Sequence, residues 1–376
     1  MGCTFSQCII RFGLNFLSIF LVCGSAQAGN NNHIADSLKW SGTCLYRDSF
    51  LQHNSSLLFY QPFEWDKAEA QRIDDIKSDA LSPLVPDCWQ ELSEKLIIDG
   101  LERDWVEEVF KRLGNGYTDV PMKTKLKELY KLKFGKKKTT KPARENKTNY
   151  YRHVVTEKNV RRAMIFLHEH EEFFLKAEAT YGVPKEVALS LILVETDLGS
   201  YLGRHSALLN LASMATSNRK ETFYPHLPAF SGDLVKENWL QSVLDKRSKW
   251  AYNELKALLT YTYSNGFDPL ELSGSIYGAI GYCQFMPSNI ILFGVDGNND
   301  GTINLFDPAD AIFSLSNYLA VHGWPNSPDE AAQRKALLAY NRSTAYANTI
   351  LMMAKELINA EQQAMPNADQ PPKDNQ

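Results

Sequence analysis

The sequence predicts a mainly α protein. Three observations carry that expectation. Apolar residues recur at helical spacing from Leu92 to Leu113 and again from Val160 to Tyr181. Each pattern closes on a glycine, Gly114 and Gly182. Pro184 then opens a run, Val187 to Val194, that is apolar almost all round, as a buried helix is. The 376 residues give room for two or three domains. The 44% apolar, 11% aromatic and 22% charged content matches folded soluble domains and excludes collagen, a coiled-coil rod or a wholly disordered chain. A net charge of −4 gives no overall attraction to nucleic acid, so none is expected as a partner.

In chain order, residues 1–28 read as a secretory signal. Phe12 to Cys23 is nearly uncharged, follows Arg11 and leads into Ser25-Ala26-Gln27-Ala28, an A-x-A cleavage pattern. A permanent membrane anchor is the weaker alternative, because Ile9 to Cys23 is interrupted by Arg11 and falls short of a span of about 20 residues. A lipoprotein reading is weaker again, since Val22 stands where a small residue should precede Cys23. Export to an oxidising compartment follows. Cys44, Cys88 and Cys283 would remain in the mature chain, and their odd number leaves one unpaired. A Cys44–Cys88 bridge and two free thiols are equal readings, and three scattered cysteines without C-x-x-C make no zinc site.

Residues 29–149 are expected to form an N-terminal helical region with a basic linker. From Lys123 to Lys147 the charge is +9, against −13 for the rest of the chain. That run reads either as contact with an anionic polymer or as a solvated helix and connector. Residues 150–360 should form the main domain, and 361–376 a disordered tail. Within the domain, residues 158–181 suggest one amphipathic helix. His168-Glu169-His170 is not a metal pair, because i and i+2 side chains diverge on a helix.

The first helical position of the apolar run falls on Pro184, and the run ends in Glu195. Three, four and seven places back stand Ile192, Leu191 and Ala188, so the carboxyl leaves the helix beside hydrocarbon. Desolvation there raises its pKa, and an acid that keeps its proton near neutrality suits protonation of a glycosidic oxygen. Thr196-Asp197 and Gly199 end the helix, which leaves Glu195 at the lip of a cleft.

Four separated motifs then occur in one order: Glu195-Thr196-Asp197-Leu198-Gly199, the stretch from Ser275 to Ser288, His322-Gly323-Trp324, and Ala339-Tyr340-Asn341-Arg342-Ser343. Together they resemble the lytic murein transglycosylases of the membrane-bound B type over roughly residues 90–360. The resemblance implies a lysozyme-like helical catalytic core with an additional helical N-terminal domain, acting on peptidoglycan glycan strands in the periplasm. It implies cleavage of the β-1,4 bond from N-acetylmuramic acid to N-acetylglucosamine, with Glu195 as acid and then as base, closing a 1,6-anhydromuramyl ring. No organic cofactor is implied. It further implies that Ser275, Gln284, Tyr318, Tyr340 and Asn341 line the substrate cleft. The residues themselves agree that no second carboxylate sits in a comparable apolar setting, because Asp197 is two places along and points elsewhere. Residues 217–247 depart from the family, and only Asn218-Arg219-Lys220 loosely matches its sugar-contacting segment.

A second motif stands apart. Asp296, Asn298, Asp300 and Thr302 fill positions 1, 3, 5 and 7 of an EF-hand-like calcium loop, with Gly301 at the sharp turn. Asp307 occupies position 12 but precedes Pro308, where it suits a helix N-cap. The resembled family closes a lengthened loop with the acid matching Asp310, and the ion, calcium, is expected to be structural. Two other functions remain open: a hydrolytic muramidase, and a non-catalytic peptidoglycan-binding scaffold.

Overall fold

The computed structural model describes residues 85–135, 149–227 and 233–364. The leader, Cys44 and much of the basic run lie outside the described residues, so the signal and the Cys44–Cys88 pairing do too. Cys88 itself is exposed in the first helix. No described helix is long and apolar enough to cross a membrane.

Two helices, α1 (Asp87–Ile98) and α2 (Arg103–Leu113), take up the first periodic stretch. They are separated at Gly100, whose φ of 101° is costly for any other residue. Glu102 caps α2 by accepting from the N–H groups of Asp104 and Trp105. The basic α3 (Val120–Phe134) follows. All described residues belong to one compact unit, and both α1 and α3 pack against α7 (Ala207–Thr216).

The expected single helix over 158–181 is two, α4 (Glu157–Glu169) and α5 (Glu171–Tyr181). His170 breaks it: at φ −124° and ψ 22° it leaves the helical region, and its ring packs on Phe166 at 4.5 Å. Helix α6 (Lys185–Thr196) begins one residue later than the proline rule suggests, because Pro184 takes the extended N-cap conformation. Its residues from Glu186 to Thr196 are all buried, as the all-round apolar pattern requires. It is wrapped by α4, α5, α10 (Pro308–Val321) and the terminal α12 (Thr344–Ala364). Helix α12 therefore runs a few residues past the expected start of the tail.

A long α8 (Leu234–Asn265) packs on α7, and α9 (Pro287–Phe293) and α11 (Glu330–Tyr340) complete the helices. The departing segment 217–247 forms two 3₁₀ turns and the start of α8. A two-stranded antiparallel ribbon pairs β1 (His205–Ser206) with β2 (Ser273–Gly274), His205 opposite Gly274. A side chain at Gly203 would place its Cβ 2.2 Å from the Gly274 carbonyl, so glycine alone lets the strands approach.

Candidate active site

Glu195 lies in the last turn of α6, facing α12. It is 7% exposed, more enclosed than the lip of a cleft, because α12 lies along α6 and puts Tyr346 over it. The Tyr346 hydroxyl donates to Glu195 Oε1 at 2.5 Å. The other oxygen, Oε2, is buried with no hydrogen-bond partner. Burial pushes the Glu195 carboxyl up to about 8, against the smaller downward pull of the Tyr346 hydrogen bond. Glu195 makes no ion pair among the described residues. Protonated, Oε2 becomes a donor without an acceptor, which is the state an acid catalyst needs before substrate arrives.

Tyrosines build the rest of the wall. Tyr340 stacks parallel to Tyr346 with ring centres 6.3 Å apart, and its hydroxyl donates to the Cys283 carbonyl. Tyr318 packs edge-on against Tyr340 at 5.1 Å and donates to the Ala339 carbonyl at 3.0 Å. Its other face stacks on His322 at 4.0 Å. Burial raises the phenols of Tyr340 and Tyr346, and the nearby Glu195 charge raises both further. Asn341, next along the chain, is buried and its Oδ1 has no partner. Among the described residues the site thus holds two buried polar atoms without a hydrogen-bond partner, Glu195 Oε2 and Asn341 Oδ1.

Ser275 and Gln284 hold the backbone of the glycine-rich turn. Ser275 Oγ accepts from the N–H groups of Tyr277 (3.3 Å) and Ala279 (3.0 Å). The Gln284 amide donates to the carbonyls of Gly281 (3.0 Å) and Leu202 (3.3 Å), from a residue with φ +48°. Gln284 is the one non-glycine residue of the turn with a left-handed backbone, beside Gly278 and Gly281. The Cys283 thiol donates to the Ala311 carbonyl at 3.1 Å, and burial raises it. Asp197 turns away from Glu195, exposed and paired with Arg162 at 2.6 Å.

Sequence reasoning missed Tyr346. It lies 151 residues from the acid it contacts, and its one signal is that it falls three residues after Ser343, in the first turn of the helix that follows the last motif.

The 296–310 loop is a separate structure. Asp296 accepts from the N–H groups of Asp300 and Gly301, Asn298 from Asp300, and Asp300 from Thr302. Gly301 has φ 93°, as the sharp turn demands. Asp307 caps α10, accepting from Ala309 N–H at 2.7 Å. Asp310 is fully buried, with one oxygen accepting from Gly297 N–H at 2.8 Å and the other from Asn304 N–H at 2.6 Å. No group of three or more His, Cys, Asp or Glu able to hold a metal occurs among the described residues. The donors are nonetheless all oxygen, the chemistry of a hard cation, if the neutral oxygens of Asn298 and Thr302 complete the set.

The site is thus a buried acid with a raised pKa and one unpartnered oxygen, set in a tyrosine wall on an α-helical fold. A family model, the transglycosylase SLT domain, matches residues 85–334, and the chain belongs to that family. It is 35% identical over 175 residues to the membrane-bound lytic murein transglycosylase B of Escherichia coli, an alignment covering 46% of this chain and 41% of that protein. The chain therefore spans less than half the length of this curated relative. Among solved structures, it resembles the Escherichia coli lytic transglycosylase SLT35 in complex with calcium (TM-score 0.55, 22% identity, 74% of this chain, 94% of the other). It also resembles SltB3 from Pseudomonas aeruginosa in complex with NAG-anhNAM-pentapeptide (TM-score 0.53, 18% identity, 72% and 78%).

Proposed function

We propose that the protein is a peptidoglycan lytic transglycosylase. The observation that carries the reading is the Glu195 carboxyl, buried, raised to about 8 and left with one free oxygen. Glu195 gives its proton to the oxygen of the MurNAc-β-1,4-GlcNAc bond. The carboxylate left behind then takes the proton of the muramyl C6 hydroxyl, which attacks the anomeric carbon and forms the 1,6-anhydro ring. No second carboxylate among the described residues acts on Glu195, so the substrate's own acetamido group stabilises the positive charge, a recognised exception to the two-carboxylate rule. Asn341 Oδ1, lacking a partner, suits the acetamido N–H. Tyr346 orients Glu195, and Tyr340 and Tyr318 hold the sugar-facing wall. Ser275 and Gln284 shape the turn beside it.

The same reading places the protein in the periplasm, as an exported chain acting on glycan strands. Asp296, Asn298, Asp300, the Thr302 carbonyl and Asp310 would hold calcium, and the ion would tie the 296–302 loop to α10 without entering the reaction. Support comes from the oxygen-only donor set and from the neighbouring fold solved with calcium.

Digestion of purified sacculi tests the function. Muropeptides with anhydro ends, released by the wild type and not by Glu195→Gln, are expected. Products one water heavier would instead identify a muramidase, and no soluble product a scaffold.

A further inference from the structure

We infer that α3 is a positioning element for the 275–284 turn, holding Tyr277 between Lys125 and Glu128; this rests on the transglycosylase reading. The Lys125 ammonium stands 4.0 Å above the centre of the Tyr277 ring and 3.7 Å from Glu128 Oε2. The Tyr277 hydroxyl donates to that same Oε2 at 3.3 Å. From α8, the Arg247 charge bears on all three groups. Tyr277 is therefore gripped by ring face and by hydroxyl, from a helix outside the catalytic wall.

A continuous run of bonds carries that grip inward. Tyr277 N–H donates to Ser275 Oγ, which also accepts from Ala279 N–H. The Ala279 carbonyl accepts from Ser275 N–H at 2.8 Å, and Ile280 pairs with Phe285 across the end of the turn. Between these lies Cys283, whose carbonyl receives the Tyr340 hydroxyl in the wall beside Glu195. A displaced Tyr277 shifts the backbone that orients Tyr340.

Stability alone does not explain Lys125. It is 8% exposed, and burying an ammonium costs free energy that an apolar side chain of similar length avoids. Burial lowers it from 10.5 to about 8, Arg247 pushes the same way, and Glu128 opposes. Since the folded state then binds fewer protons than the unfolded chain from pH 8 to 10.5, stability rises with pH across that window and the charged form is the less stable one. A costly charge held against a tyrosine of the turn is best accounted for by what it does to the turn.

The test uses the full chain on sacculi from pH 6 to 9, with Lys125→Met and Tyr277→Phe. Lys125→Met should keep or raise the melting temperature at neutral pH, yet lower kcat by about tenfold with KM unchanged, as misplacement of a reacting group does. The wild-type alkaline decline should be steep, with Lys125 and Glu195 both titrating, and that of Lys125→Met shallower. Tyr277→Phe, which keeps the ring, should show a smaller loss in kcat alone. Unchanged kcat in both variants, or a loss matched by a fall in melting temperature, overturns the positioning role and leaves the transglycosylase standing. No muropeptide from the wild type overturns the transglycosylase reading, and the positioning role with it.

Discussion

Four carboxylates are buried among the described residues; Glu186 is ion-paired with Lys185, and the surroundings of the other three differ in one respect. Asp310 gives each oxygen to a backbone N–H, of Gly297 and Asn304. Glu254 gives both to Ser288, one to its N–H and one to its hydroxyl. Glu195 has one oxygen satisfied by Tyr346 and the other by nothing. Burial raises the pKa of all three, but only in the first two do backbone hydrogen bonds pull it back down. A buried acid with both oxygens occupied ties chain segments together. One with an oxygen left over keeps its proton and has somewhere to send it.

The contrast breaks most sharply at Glu195. Glu195→Gln should lower turnover by about 10²–10⁴-fold, the usual worth of a general acid and base. It should not destabilise the fold. Because the folded pKa lies above the unfolded 4.5, the wild type loses stability as pH rises toward 8, by up to about 1.4 kcal/mol per unit. The variant escapes that loss, so its melting temperature at pH 8 should exceed the wild type's. A lower one would make Glu195 a structural acid like the others.

Asp310→Ala should behave in the opposite way. Two backbone N–H groups lose their acceptor, at about 1–3 kcal/mol each, and the melting temperature falls while folded molecules keep their turnover. The deficit should persist in excess chelator if those N–H groups are its cause. Chelation of the wild type should have a smaller effect, lowering the melting temperature before it touches activity; an unchanged melting curve argues against the ion. Smallest of all, Tyr346→Phe removes the bond that lowers the Glu195 pKa, so the alkaline limb of the rate profile should move upward by a fraction of a unit. A downward move would contradict the assigned geometry.

Glu195 was legible because its signal is local: Ala188, Leu191 and Ile192 occupy its own helix face, and helix periodicity is enough to bury it. The N-cap at Asp307 was legible for the same reason, an acid directly before Pro308. The division at His170 was not, since the apolar period continues through it while the His170 backbone leaves the helical region. Neither was the Tyr346–Glu195 bond, which depends on how α12 lies along α6. Ser275 and Gln284 carry groups suited to sugars, and composition cannot tell that their own turn occupies them first.

The protonation state of Glu195 can be read directly, as the difference between carboxyl ¹³C titrations of the wild type and of Glu195→Gln. A single carboxyl titrating near pH 8 and missing from the variant is the predicted result. A difference signal titrating near 4.5, the ordinary value for a glutamic acid, would mean that the side chain is charged at neutrality and has no proton to give.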